Sequence, residues 1–198
     1  MFIVFEGIDG SGKTTLSRLL VRFLNSRGVK AVWTREPYAE ETKKLLTSGV
    51  LSPWGETFLL LADRNRHVRE FLKPKLEEGY VVVSDRYYFS TLAYQGYGKG
   101  LPLKTLKSLN PKVIEGLEPD LVFLLDMEPR RALERIDKGR TSRVENFEEE
   151  KLLERVRRGY LKLAKGKENV FILSAEKSPY ELLGGILRVL EKELKEKI

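Results

Sequence analysis

The sequence predicts an α/β fold, a five-stranded parallel sheet flanked by helices, and three observations carry that prediction. Short apolar runs rich in β-formers alternate with longer stretches of helical period, the pattern of strands buried on both faces between crossover helices. A glycine-rich turn with phosphate-binding spacing falls between the first such run and the first helical stretch. No Gly/Ser/Pro linker, low-complexity tract or internal repeat interrupts the 198 residues, so residues 1–198 are expected to form one domain.

The runs that read as strands are Phe2 to Glu6, Val29 to Thr34, Tyr80 to Asp85, Leu121 to Asp126 and Val170 to Ser174. The first helix is expected from Lys13, with Leu16, Leu19, Leu20, Phe23 and Leu24 on one face, and Gly28 supplies a left-handed stop. Further helices are expected over Glu40 to Thr47, Gly55 to Glu78, Phe89 to Tyr97, Lys104 to Glu115, Arg130 to Lys138, Phe147 to Lys165 and Pro179 to Lys195. Pro74 should kink or divide the third of these eight helices, and Pro111 the fifth, because neither can donate a backbone hydrogen bond. The polar, basic stretch Asp137 to Asn146 interrupts two helical patterns after the fourth strand and reads as a candidate flap.

Composition removes several function classes. Hydrophobic residues make up 41% and charged residues 33%, which fits neither a disordered chain nor a membrane protein. Apolar runs such as Val81 to Val83 and Leu121 to Leu125 are far shorter than a bilayer span, and the first ten residues carry no basic n-region, so a cytoplasmic location is expected. With no cysteine there is no disulfide, thiolate metal site or cysteine nucleophile, and with His67 alone there is no ordinary Ser-His-Asp triad. A net charge of +7 points to acidic partners, either nucleic acid or phosphorylated small molecules, and charge alone does not separate them.

Gly7-Ile8-Asp9-Gly10-Ser11-Gly12-Lys13-Thr14 satisfies G-x-x-x-x-G-K-[ST], the P-loop pattern. Its glycines let backbone N–H groups close around phosphate oxygens, and the helix that follows adds a favourable dipole. The ATP-contacting run is expected to span this octet and Thr15. Lys13 should reach the β- and γ-phosphates and Thr14 should ligate Mg²⁺. There is no N-K-x-D guanine motif, which argues against a GTPase. The third strand ends in Ser84-Asp85-Arg86-Tyr87, where Asp85 could hold Mg²⁺ directly or through water and Arg86 could bridge donor and acceptor phosphates. Arg35, in Arg35-Glu36-Pro37, and Arg64, within the third helix, are further cations that could fix an acceptor phosphate. His67 reads as an ordinary helix residue, Trp33 and Trp54 as packing or interface residues, and Asp126 as either a cap or a neighbour of the metal site.

The segments FEGIDGSGKTT, REP, LADRNRHV, SDRYYFSTLAYQGYGKGL, PDLVFLLDMEPRRALERI, SRVENF and GYLKLA together resemble the thymidylate kinases over nearly the whole chain. The most specific is D-R-Y-x-x-S-x-x-A-Y-Q-G, here Asp85, Arg86, Tyr87, Ser90, Ala93, Tyr94, Gln95 and Gly96. The resemblance implies nucleoside-monophosphate-kinase topology, a short lid at about residues 137–146, a homodimer, and phosphorylation of dTMP to dTDP by Mg-ATP for dTTP synthesis. It implies no nucleic-acid or membrane partner. By the same resemblance, Asp9 would lie near the acceptor 3′-OH and be a further metal candidate, Arg35 and Arg86 would meet the dTMP phosphate, and Arg64 the thymine edge. Leu60 would cover the base, Tyr94 would stack beneath the deoxyribose, Thr91 and Gln95 would lie beside the base, and Glu145 would approach the sugar or metal. Arg140 and Arg143 would close over the transferring phosphate, supplying charge that some members place at the position of Gly10. Two departures stand out: Tyr38-Ala39-Glu40 replaces a common G-G-T, and Leu60 replaces a common Phe. A kinase for another nucleoside monophosphate such as dUMP, and a nucleic-acid-associated P-loop ATPase, remain the alternative readings.

Overall fold

The strands form where the apolar runs predict them, because β-branched and aromatic residues covered on both faces have no solvent side to alternate with. The computed structural model describes residues 1–137 and 147–195. Within them β1 (Phe2–Gly7), α1 (Lys13–Ser26), β2 (Ala31–Arg35), α2 (Glu40–Thr47), α3 (Pro53–His67), α4 (Lys73–Glu77) and β3 (Val81–Asp85) make the first half. The second half comprises α5 (Tyr88–Thr91), α6 (Leu103–Ile114), β4 (Leu121–Asp126), α7 (Pro129–Asp137), α8 (Phe147–Ala164), β5 (Val170–Ser174) and α9 (Pro179–Lys195). The sheet is parallel throughout, in the order β2-β3-β1-β4-β5. β1 therefore sits at the centre, and each of its residues is buried. Among the described residues no helix is long and apolar enough to cross a membrane.

Register decides what the strand ends bring together. Phe5 lies opposite Asp85 of β3, and Gly7 lies opposite Leu125 of β4. The turn after β1 and the turn after β3 thus emerge side by side at the carboxyl edge of the sheet, where α/β folds bind ligands. Beneath them Ile3, Phe5, Val83 and Phe123 are fully buried, and each such side chain contributes about 1.5–3 kcal/mol.

Two helices are interrupted by π-helical turns. The stretch expected over Gly55 to Glu78, kinked or divided at Pro74, is α3, a π-helical turn Val68–Leu72 and then α4. Pro74 is the cause, since it cannot donate to the Glu70 carbonyl and its ring would press on that group, and the wider π turn precedes it. The helix expected from Phe89 begins as α5 and continues as a second π-helical segment, Leu92–Gly98. Pro111, by contrast, is accommodated inside α6. Gly28 stands at φ +78°, the left-handed stop the sequence indicated.

The Leu92–Gly98 segment carries Tyr94 and Gln95, and α8 is packed closely on it. A Cβ on Gly159 of α8 would lie 2.6 Å from the Tyr97 ring, and one on Gly98 would lie 2.8 Å from Val156. Arg155 Nε also donates to the Gly98 carbonyl at 3.0 Å. Glycine at 159 is therefore a close-approach residue rather than a flexible one. Gly159→Ala should destabilise the fold by about 1–3 kcal/mol through overpacking, a drop of several degrees in Tm that thermal unfolding would read directly.

Candidate active site

The turn after β1 is shaped by two glycines that nothing larger could replace. A Cβ on Gly7, at φ +143°, would stand 2.6 Å from the Leu125 carbonyl oxygen, and one on Gly10, at φ +79°, would run into the backbone carbonyl of Ala132 in α7. The first turn of α1 has no acidic side chain and no side-chain cap, so its N–H groups are left for an anion. Lys13 crosses the loop and donates from Nζ to the Ile8 carbonyl at 2.7 Å, while Ser11 Oγ is buried with no partner in the protein.

Thr14 Oγ1 donates to Asp85 Oδ2, and Asp85 Oδ1 is buried without a hydrogen-bond partner. A hydroxyl beside a carboxylate with an unused lone pair is a hard oxygen set, suited to Mg²⁺ that brings its remaining ligands as phosphate oxygens and water. Among the described residues there is no group of three or more His, Cys, Asp or Glu that could hold a metal ion by itself.

Arg86 stands between the two turns. Its backbone is at φ +79°, unusual for a residue with a side chain, and is pinned by its N–H donating to the Phe5 carbonyl at 2.9 Å. Nη2 donates to Asp9 Oδ1 at 2.5 Å, and Nη1 donates to Ser90 Oγ at 3.0 Å, Tyr160 OH at 3.3 Å and the Gly7 carbonyl at 3.4 Å. Tyr94 OH donates to Asp9 Oδ2 at 2.8 Å. Burial raises the pKa of the Asp9 carboxyl, but Arg86 and then Lys13 outweigh it and hold it at about 2. Burial, reinforced by Arg86, pushes Lys13 down to about 8, with Asp9 and Asp85 opposing. Glu6, wholly buried behind Arg86, has its pKa raised by burial against the opposing pull of Ser90 and Arg86.

Two cavities open from this centre. One, of about 480 Å³, runs along the phosphate loop past Asp85 to Arg135, Ala175 and Lys177. The other, of about 200 Å³, is lined by Leu46, Leu60, Arg64, Thr91, Tyr94 and Gln95. Asp9 and Arg86 belong to both walls. Among the described residues the buried side-chain atoms lacking a partner are Ser11 Oγ and Asp85 Oδ1 in the first wall, and Arg64 Nη1, Thr91 Oγ1 and Gln95 Oε1 in the second. Buried polar groups are normally satisfied, so this grouping marks where a ligand belongs.

Arg64 is only 1% exposed and is oriented by Glu36, to which Nε donates at 2.8 Å, while Nη2 donates to the Tyr87 carbonyl at 3.1 Å. His67 Nδ1 lies 3.2 Å from the other Glu36 oxygen, and its Nε2 lies 2.8 Å from Thr34 Oγ1. His67 is thus a buried brace of the cluster. Trp33 donates to Ser17 Oγ at 2.9 Å, Trp54 stacks on Phe58, and neither lines either of the two cavities. Asp126 accepts from Arg157 Nε and Nη2 at 2.6 and 2.9 Å, an anchor between β4 and α8 rather than part of either wall.

Of the residues expected around an acceptor nucleotide, Asp9, Leu60, Arg64, Arg86, Thr91, Tyr94 and Gln95 share the smaller cavity. Arg35 does not line it and instead donates to Glu40 at 2.5 Å. Arg140, Arg143 and Glu145 lie outside the described residues. Glu36, Arg135, Ser90 and Tyr160 were given no role from the sequence, although each sits inside a quoted segment.

A family model described as thymidylate kinase matches residues 5–184. The chain belongs to the thymidylate kinase family. A protein named thymidylate kinase from Desulfovibrio desulfuricans is 43% identical over 198 residues, covering 92% of this chain and 91% of that protein. One of the same name from Thermosipho africanus is 38% identical, covering 98% and 99%. A third, from Pelotomaculum thermopropionicum, is 44% identical over 171 residues, covering 82% and 79%. The structure also accounts for where this thymidylate kinase family member departs from its common pattern. At the position of the common G-G-T, the N–H groups of Tyr38 and Ala39 donate to Asp63 at 2.6 and 2.9 Å, and the Tyr38 ring, which a glycine would lack, stacks on His67 at 4.6 Å. An arginine at position 10 would meet the Ala132 carbonyl with its first side-chain carbon.

The lowered Lys13 pKa has a measurable consequence. The ordinary lysine value lies well above about 8, so between the two the free protein carries less charge at Lys13 than an exposed lysine would. A polyphosphate bound against Lys13 favours the ammonium form and draws a proton in. Calorimetry of Mg-ATP binding in buffers of different ionisation enthalpy should show proton uptake rising between about pH 7.5 and 9 toward about one proton. Asp9, already ionised, adds nothing to it. Uptake that stays at zero over that range would contradict the assignment.

Proposed function

We propose that this chain transfers the γ-phosphoryl group of Mg-ATP to the phosphate of dTMP. The observation that carries the reading is the pair of cavities meeting at Asp9 and Arg86, which gives donor and acceptor phosphates one shared cation. On the donor side, the loop N–H groups, Ser11 and Lys13 would hold the phosphates, and Thr14 and Asp85 would hold Mg²⁺, which would neutralise charge on the phosphates. On the acceptor side, a dTMP phosphate oxygen attacks the γ-phosphorus as the bond to the ADP oxygen breaks. That oxygen is already anionic at neutral pH, so positioning and charge neutralisation rather than a general base lower the barrier. Gly10 brings no cation to the transferring group. Lys13 and Arg86 supply it, joined in this reading by Arg140 and Arg143.

The smaller cavity supports a thymine. Arg64 offers a free donor at Nη1, and Gln95 Oε1 offers a free acceptor because its amide nitrogen faces Glu56 at 3.5 Å. A base with a carbonyl oxygen next to a ring N–H complements that order. Leu60 covers the ring with less π-contact than a phenylalanine would, and Tyr94, tied to Asp9, fills the space where a 2′-hydroxyl would project. We also infer a homodimer, supported by Leu45, Val50 and Phe58, which leave apolar surface exposed along and between α2 and α3.

Steady-state kinetics with dTMP, dUMP and dCMP tests the assignment. Cytosine presents an amino donor to Arg64 and an acceptor nitrogen to Gln95, and each unmatched buried group costs about 1–3 kcal/mol, so dCMP should fall by roughly 30-fold or more in kcat/KM. dUMP lacks one methyl, worth about 0.8 kcal/mol, and should be several-fold poorer than dTMP. Lys13→Ala should raise the barrier by about 3 kcal/mol. Comparable kcat/KM for dTMP and dCMP would refute the thymine pocket.

A further inference from the structure

Glu6 is a carboxylate in the central strand, 0% exposed, with an apolar residue on either side in most of β1. Taking a carboxylate out of water costs several kcal/mol unless donors surround it. Four do. Its Oε1 accepts the Tyr87 and Ser90 backbone N–H groups at 2.9 and 3.2 Å, and its Oε2 accepts Ser90 Oγ at 2.6 Å and Tyr160 OH at 3.1 Å. The same two hydroxyl oxygens, which lie 2.8 Å apart, accept from Arg86 Nη1.

Each hydroxyl has one hydrogen and two lone pairs. Ser90 gives its hydrogen to Glu6, and the Tyr160 hydrogen lies between Glu6 Oε2 and Ser90 Oγ, so only lone pairs are left to face Arg86. The carboxylate therefore sets the polarity of two hydroxyls and makes them acceptors for the guanidinium. We propose that Glu6, acting through Ser90 and Tyr160, is the positioning residue that fixes Arg86 Nη1 between the two cavities. Nη2 is fixed separately by Asp9. The left-handed backbone of Arg86 is held as well, by the Phe5 carbonyl and by Ser84 Oγ, which donates to the Arg86 carbonyl at 2.7 Å. Backbone and both ends of the guanidinium are thus constrained, as a group serving two phosphates requires.

A glutamine at position 6 has the same shape and the wrong hydrogen-bond order. Its oxygen can satisfy the two N–H groups, but its NH₂ then faces the hydroxyls and donates to them. At least one of their hydrogens must then swing toward Arg86, which also donates, so Nη1 loses at least one hydroxyl acceptor while keeping the longer contact to the Gly7 carbonyl. Tyr160→Phe removes one acceptor while keeping the ring.

The catalytic consequence rests on the phosphoryl-transfer reading above; the effect on Arg86 does not. Glu6→Gln and Tyr160→Phe should each lower kcat per nucleotide-binding site by about tenfold or more, with KM for Mg-ATP and dTMP changed less than about threefold. The double variant should lose little beyond the worse single one, because both act through one contact. Side-chain NMR of the unliganded protein should show slow rotation of the Arg86 guanidinium in the wild type and faster rotation in either variant. Should Glu6→Gln fail to fold, Tyr160→Phe decides alone. A folded variant with unchanged kcat and unchanged Arg86 rotation overturns the proposal, as does a loss confined to the fraction of folded protein. A wild type inactive on dTMP would remove the proposed function, while the Arg86 resonances would still decide the inference.

Discussion

The contact on which the site depends is the ion pair between Arg86 and Asp9, 2.5 Å long, joining the turn after β3 to the turn after β1. Parallel pairing of the two strands puts both turns at one edge, and the pair then closes the gap between them. It keeps Asp9 ionised and stands in the walls of both cavities, and its arginine adds to the lowering of the Lys13 pKa by burial while its carboxylate opposes it. Asp9 also reaches Tyr94, so the phosphate loop, the acceptor cavity and the strand-end arginine form one hydrogen-bonded unit.

Around that pair, buried charge is organised in two layers. Glu6 lies behind Arg86, and Glu36 lies behind Arg64. In both cases a carboxylate with almost no exposure leaves a cation presenting selected nitrogens forward. Such arrangements contribute little net stability, because desolvation offsets most of the attraction. Their value is geometric. A guanidinium with some of its donors committed to fixed partners can offer the remaining ones in a single direction, which is what recognition of a phosphate or a base edge needs.

Crowding explains the small residues in the same terms. Gly10 is glycine because the α7 backbone occupies the place of a side chain, and Gly159 is glycine because the Tyr97 ring does. The first keeps α7 against the phosphate loop. The second keeps α8 against the π-helical segment that carries Tyr94 and Gln95. Asp63 does comparable work at Tyr38 and Ala39, fixing that turn by accepting from both backbone N–H groups.

The sequence by itself determined the strands, the parallel α/β class, the phosphate loop and the Asp85-Arg86 strand end, because each depends on local backbone demands: apolar runs, positive-φ glycines and helix termini. Most of the acceptor cavity was legible too, since Arg64, Thr91, Tyr94 and Gln95 sit in short motifs. Tertiary structure alone decided which cations were free and which were spoken for. Arg35 and Arg64 read alike along the chain, yet one pairs with exposed Glu40 and the other is buried against Glu36. Glu6 and Tyr160, 154 positions apart, meet only because the packing of α8 on the Leu92–Gly98 segment and the sheet carries the tyrosine to β1. Hydrogen-bond partners are chosen by distance in space, and no spacing in the sequence encodes it.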